Sequence, residues 1–417
     1  MATSTTGHVA IEATPESVGM SSSRLANVTR LVQRYIDDGK YAGAITLVAR
    51  RDKVVHFETY GKLDAEAGTS MRPDAIFRLA SMTKPIVSVA LMSLYEEGRF
   101  QLDTPVYEFI PAFRDVQVLA GGTADAFTTR PPARAITVAD LLRHTAGFEF
   151  LGGDSPVVGE LYRRAGITGI PATGTLAERA AALARMPLVG DPGAQFTYHY
   201  ATDVVGHLCE LLAGQPLDVF LRARILQPLG MRDTAFHVSA ANRDRLAGWY
   251  DQANDGDARF RAHDPADEAR YAEGATYFSA GGGLTATTAD YLRFTRMLAR
   301  GGELDGERIL GTRTLALMAS NHLPGGRDLD EMWFGGPGPT AIARGTGFGL
   351  GFAVLLDPAR AALLGTPGEF YWGGAYSTAF FVSPAEDLIM IFMTQLGGSD
   401  YLIRRQLRVA TYQAIID

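Results

Sequence analysis

Ser81 and Lys84 stand three residues apart in the run Leu79-Ala80-Ser81-Met82-Thr83-Lys84-Pro85. At the start of a helix this spacing sets a hydroxyl and an amine on one face, within side-chain reach of each other. The first turn of a helix also offers unpaired backbone N–H groups and a partial positive charge. That field favours a developing oxyanion and disfavours an ammonium, so Lys84 can take the serine proton and leave Ser81 to attack carbonyl carbon. Pro85 falls within the first turn, where a missing N–H costs little. The chain has four lysines (Lys40, Lys53, Lys62 and Lys84) against 35 arginines. Arginine does not release its proton in a protein and lysine does, so a lysine at this one position points to proton transfer.

Two further stretches can complete such a site. Pro192-Gly193-Ala194-Gln195-Phe196-Thr197-Tyr198-His199-Tyr200 puts Tyr198 on a loop ahead of a helix that begins near Asp203. A hydroxyl there can relay a proton between Ser81, Lys84 and a leaving group. Trp372-Gly373-Gly374-Ala375 comes just before the strand-like run Thr378–Val382. Small residues allow a substrate to lie along that strand edge, and a backbone N–H there can complete an oxyanion hole. The aromatic residues beside these motifs, Trp372, Tyr200, Phe148 and Tyr376, are expected to line the acyl or alcohol pocket.

The three stretches together resemble the family that joins class C β-lactamases, penicillin-binding DD-peptidases and the family VIII carboxylesterases. Further matching segments are Ile136-Thr137-Val138-Ala139-Asp140-Leu141-Leu142-Arg143-His144-Thr145-Ala146-Gly147, Ser279-Ala280-Gly281-Gly282-Gly283-Leu284 and Gly347-Phe348-Gly349-Leu350-Gly351-Phe352, so the likeness spans about residues 15–410. The resemblance implies Ser81 as nucleophile, Lys84 as general base, Tyr198 as proton relay, and the N–H groups of Ser81 and Ala375 as the oxyanion hole, with no cofactor and no metal. Two departures bear on substrate. The family's Tyr-x-Asn is here Tyr198-His199-Tyr200, and its Lys-Thr-Gly or Lys-Ser-Gly is Trp372-Gly373-Gly374. Tryptophan in place of that lysine removes a cation that attracts carboxylates and adds an apolar wall, which favours a small neutral ester. The function implied is a carboxylesterase working through an acyl-Ser81 intermediate. The alternatives are β-lactamase or DD-peptidase activity, acyl transfer to an alcohol, and a non-catalytic binding protein on the same scaffold.

The elements that must hold these residues can be read from periodicity. Ser21–Asp38 has apolar residues at helical spacing, and Gly39 is a natural stop. Ala44–Ala49 and Lys53–Thr59 read as strands joined by the Arg50-Arg51-Asp52 turn. A second helix runs from Ser81 to about Glu97, apolar nearly all round and therefore buried. Residues 105–270 change to loops and short helices (Val138–Arg143, Leu176–Ala184, Asp203–Leu212 and Leu217–Ile225), punctuated by glycine and proline. Toward the C-terminus come a helix, Ala289–Arg300, strands Leu350–Leu356, Thr378–Val382 and Leu388–Thr394, and a closing helix, Asp400–Ile415. Ser383-Pro384-Ala385-Glu386-Asp387 suits a hairpin turn. The pattern predicts an α/β (α+β) fold: one lobe of 1–104 plus 271–417, an antiparallel sheet flanked by helices, a mostly helical lobe of 105–270 inserted in it, and the site in the cleft between. By the resemblance above, this is the β-lactamase-like fold.

Composition excludes other classes. Hydrophobic residues are 47% and charged residues 20% of 417, as in globular proteins. A net charge of −7 and no basic tract argue against nucleic-acid and anionic-membrane partners. Cys209, the only cysteine, lies in an apolar run and reads as a small buried hydrophobe. The first twenty residues lack a basic and an apolar region, so the expectation is a cytoplasmic protein. The chain has no Gly-x-Ser-x-Gly elbow and no His-Glu-x-x-His zinc motif, and its Gly-x-Gly run at 345–351 precedes a strand, not a helix. His144 and His199 fall inside matched segments but are given no chemical role.

Overall fold

Strands from the two ends of the chain meet in one sheet. The computed structural model describes residues 9–149, 155–253, 259–333 and 344–417. Its strands are β1 (Gly43–Arg50), β2 (Lys53–Asp64), β3 (Thr69–Ser70), β4 (Thr346–Phe348), β5 (Ala353–Leu355), β6 (Phe370–Gly373), β7 (Ala379–Ser383) and β8 (Leu388–Thr394). They hydrogen-bond in the order β4-β5-β6-β7-β8-β1-β2-β3, every neighbour antiparallel. The first strand of the chain thus pairs with the last of the sheet, Ala44 opposite Thr394 through Arg50 opposite Leu388. β1, β7 and β8 are buried at every position, in keeping with sequences that are mostly apolar and show no alternating polar face.

The five longest helices among the described residues are α1 (Ser22–Asp37), α2 (Thr83–Glu96), α3 (Ala201–Ala213), α4 (Thr288–Ala299) and α5 (Ile403–Tyr412). Phe380 of β7 meets Tyr291 of α4, and its neighbour Phe381 stacks on Tyr412 of α5. Successive strand residues point to opposite faces, so α4 and α5 cover opposite sides of the sheet. α1 packs beside α5, with Ser21 as its N-cap. α2 is buried on all sides from Thr83 to Leu94. Cys209 is fully buried and its thiol is pushed up by that burial.

The inserted segment holds the helices Val138–Leu142, Pro156–Arg164, Leu176–Ala184, α3 and Leu217–Leu221. It also holds two strand pairs where only loops and helices were expected: Val118–Thr123 with Ala126–Arg130, and Tyr250–Gln252 with Phe260–Ala262. The Ala126–Arg130 strand is exposed at every position, so no buried alternation announced it. Tyr250–Gln252 takes its other partner from Leu396–Gly397, a pairing that local pattern cannot reveal. A separate two-stranded ladder matters more for chemistry. Ile76–Arg78 pairs with Thr285–Thr287, which ties the approach to Ser81 to the end of the Ser279–Leu284 loop.

Candidate active site

Ser81 sits in a 3-10 turn, Ala80–Met82, that leads directly into α2, not in the helix itself. Ala80 holds φ +46°, a left-handed backbone that costs an L-residue of order 1 kcal/mol. The neighbouring ladder fixes this turn, Leu79 N–H donating to the Leu284 carbonyl at 2.9 Å. Ser81 remains partly exposed while Lys84 is buried. Lys84 Nζ lies 3.1 Å from Ser81 Oγ and donates to the Gly281 carbonyl at 2.7 Å. It also stands 4.6 Å from the centroid of the Tyr198 ring. The pairing inferred from i, i+3 spacing is therefore present in the fold.

Tyr198 comes from the stretch ahead of α3, and its hydroxyl accepts a hydrogen bond from the Trp372 indole N–H at 2.9 Å. Trp372, near the end of β6, packs on Tyr198 and on Phe348, each at 5.2 Å between ring centroids. His144 closes on the same rings, 4.7 Å from Tyr198 and 5.4 Å from Phe348. A capping box sets up that segment: Thr137 and Asp140 cap each other. Asp140 further accepts from Arg134, Arg143 and Thr145. Burial alone would raise its carboxyl, but the bonds from Arg134, the Thr137 backbone and Arg143 outweigh it and hold it at about 2. Burial, then the charge of Lys84, holds His144 well below its usual value and His199 at about 3. Both rings are neutral near neutral pH, in keeping with a structural place beside the lysine.

At the third motif, Gly374 N–H donates to the Thr378 carbonyl at 2.9 Å. A Cβ on Gly374 would stand 2.4 Å from the Leu79 carbonyl and 3.3 Å from Ala80 Cβ. Only glycine lets this strand end press against the turn that carries Ser81. Ala375 is exposed, and its N–H takes part in none of the hydrogen bonds among the described residues. Arg404 of α5 donates to the Gly374 carbonyl, the other half of the peptide unit that carries the Ala375 N–H. A hydroxyl, a buried amine and a phenol ring thus meet beside a strand end that carries an unengaged N–H, ingredients for acyl transfer through serine.

The pocket expectations divide. Trp372, Gly373 and Gly374 lie at this site. Phe148 does not: it is buried against Phe113 in the inserted segment. Tyr200 is also core, its ring on Tyr162 and its hydroxyl donating to the Ile167 carbonyl. Tyr376 packs on Trp249, with its hydroxyl against that of Tyr271. Sequence proximity to a motif does not fix the direction of a side chain, and each of these rings packs on another aromatic ring. Residues to which the sequence reading gave no role here are Gly281, His144 and Phe348, which lie in matched segments, and Arg404 and Asp203, whose buried carboxylate anchors the Gly281 loop. Asp203 carried one faint signal, an acid in the first turn of a helix five residues after Tyr198. Among the described residues no group of three or more His, Cys, Asp or Glu could hold a metal ion.

Comparison with known proteins gives a consistent picture. The family model described as Beta-lactamase matches residues 28–413. An uncharacterised protein of Mycobacterium tuberculosis is 35% identical over 367 residues, 87% of this chain and 88% of its own. Esterase EstB of Burkholderia gladioli is 33% identical over 393 residues, 90% and 91% of the two chains. The solved structure of EstCE1, described as a hydrolase with promiscuous acyltransferase activity, superposes with a TM-score of 0.76 at 29% identity, covering 94% of this chain and 99% of that one.

Proposed function

The chain belongs to the β-lactamase family, and on that footing we propose that it is a carboxylesterase that cleaves small neutral esters through an acyl-Ser81 intermediate. The observation that carries the reading is the 3.1 Å approach of buried Lys84 to Ser81 Oγ, beside an aromatic wall where related β-lactam enzymes keep a cation. The likeness to EstB and EstCE1 supports the ester as substrate.

In this reading Lys84 draws the proton from Ser81 as Oγ attacks the ester carbonyl. The N–H groups of Ser81 and Ala375 receive the oxyanion, a contribution worth about 10²–10³ in rate per donor in comparable sites. Tyr198, next to Lys84, passes the proton to the departing alkoxide, so the alcohol leaves neutral. Water then attacks the acyl-enzyme with the same groups acting in reverse. The Trp372 indole N–H fixes the Tyr198 hydroxyl, and the indole supplies an apolar surface where a carboxylate-bearing substrate would need a cation. Acyl transfer to an alcohol is a second reading, favoured by the description of EstCE1; it requires only that an alcohol replace water in the second step.

Turnover of p-nitrophenyl butyrate and nitrocefin by the intact chain tests the proposal, with intact-mass detection of the acyl-enzyme. Butyrate hydrolysis well above nitrocefin hydrolysis, with the butyryl adduct absent from Ser81→Ala, is the expected result. Faster nitrocefin turnover, or an adduct that survives Ser81→Ala, would overturn it.

A further inference from the structure

The loop that receives Lys84 is itself held by one buried carboxylate. Asp203 lies in the first turn of α3 and is nearly inaccessible. Its Oδ1 accepts from Gly281 N–H at 3.0 Å and from Ser279 Oγ at 3.1 Å; its Oδ2 accepts from the Tyr277 hydroxyl at 2.9 Å. Tyr277 in turn accepts from Arg179 Nε at 3.2 Å. The carbonyl of the same Gly281 takes the hydrogen bond from Lys84 Nζ at 2.7 Å. Gly206, one turn further along α3, permits the close fit, since a Cβ there would stand 2.5 Å from Ala280 Cβ.

We infer that Asp203 is a positioning residue for the Ser81 reaction: through Gly281 it fixes where Lys84 Nζ stands, and its carboxylate sets the pH range over which the enzyme turns over. This rests on the Ser81–Lys84 reading above. The route is short. Asp203 grips the N–H of residue 281, and Lys84 grips the carbonyl of residue 281, so displacement of the loop moves the amine directly. The charge is close as well. A Cβ at Gly281 would lie 3.5 Å from Asp203 Oδ1 and 3.6 Å from Lys84 Nζ, so the two groups are within about 7 Å of each other, where unit charges interact appreciably in a protein interior.

The other polar groups around Lys84 are Ser81, Tyr198, His144 and His199, with Arg179 beyond Tyr277. The two imidazoles are held neutral by burial, so among these groups Asp203 is the anion. A carboxylate this near the reacting groups should hold the acid limb of activity at higher pH than a neutral amide in its place. Asp203→Asn keeps the size and one acceptor oxygen for Gly281 and removes the charge. Asp203→Ala removes both, and Tyr277→Phe removes a donor to Oδ2 while leaving the charge.

The test is kcat, KM and the pH profile of kcat/KM with p-nitrophenyl butyrate for these variants and the wild type. For Asp203→Asn the acid limb of the profile should move to lower pH by about one unit. For Asp203→Ala kcat should fall on the order of 10²-fold with KM changed less than threefold, as expected when a base is misplaced. Tyr277→Phe should lose less than Asp203→Ala and keep the wild-type profile. If Asp203→Ala does not fold, the Asn variant decides alone. An acid limb unmoved in Asp203→Asn, with kcat within threefold of wild type, would refute the inference while Ser81→Ala and Lys84→Ala remain inactive. Activity persisting in Ser81→Ala would instead remove the reading on which it rests.

Discussion

The contact between Gly374 and the turn that carries Ser81 makes Gly374→Ala a sharp probe of the oxyanion hole proposed at Ala375. The added methyl would stand 2.2 Å from Thr378 Oγ1 and 2.4 Å from the Leu79 carbonyl oxygen. The Thr378 hydroxyl can turn away. The Leu79 carbonyl cannot, because it is backbone, two residues before Ser81 and bound into the turn that Leu284 holds. Ordinary contact begins at 3.4 Å, so the strand end and the Ser81 turn must separate by about 1 Å in a packed interior that yields little. Ala375 N–H follows Gly374 directly and moves with it. An oxyanion donor works over a narrow range, about 2.7–3.1 Å, and loss of one donor costs about 3 kcal/mol of transition-state stabilisation. Expected, then, is a fall in kcat for p-nitrophenyl butyrate of about 10²–10³-fold with KM nearly unchanged. Overpacking should also lower stability by about 1–3 kcal/mol, which a thermal melt will show without loss of the native state. A folded Gly374→Ala enzyme with kcat within fivefold of wild type would remove Ala375 from the mechanism.

Other outcomes follow from the same geometry. Ser81→Ala and Lys84→Ala should each remove esterase activity on the order of 10³-fold or more, and activity within tenfold of wild type in either would end the assignment. Trp372→Phe removes the N–H that the Tyr198 hydroxyl accepts; at about 1 kcal/mol for one hydrogen bond, kcat/KM should drop roughly fivefold, and an unchanged value would mean that Tyr198 needs no such support. Asp140, held at about 2 against an ordinary 3.8, has a folded value below its unfolded one. Its stabilisation, about 2 kcal/mol, is complete above pH 4 and lost as the pH falls toward 2. Urea melts of Asp140→Asn should therefore show that deficit at pH 7 and a narrowing gap to wild type in acid; a gap independent of pH would show that the charge is not what Asp140 contributes.

What the chain declared by itself was the part of the problem that is local. Ser81 and Lys84 come together through i, i+3 spacing, although the left-handed Ala80 in their turn is held by the distant Leu284 carbonyl. The capping box at Thr137 and Asp140, the buried strands of the sheet and the all-apolar α2 are also consequences of near neighbours in sequence. The glycines of the third motif were legible as a place of close approach, although not what approaches: that is the Leu79 carbonyl, nearly 300 positions away. The aromatic residues show the limit. Trp372, Phe148, Tyr200 and Tyr376 looked equivalent beside their motifs, yet Trp372 bonds Tyr198 while Phe148 and Tyr200 are buried against Phe113 and Tyr162. Which way a ring turns is settled by the cavity its distant neighbours leave, and only the assembled chain has that cavity. For the same reason Gly281 and Asp203, though both in named segments, received no role from the sequence. A backbone carbonyl carries no residue code, and a carboxylate that acts through a loop 78 residues away becomes visible only when tertiary contact brings donor and acceptor within 3 Å.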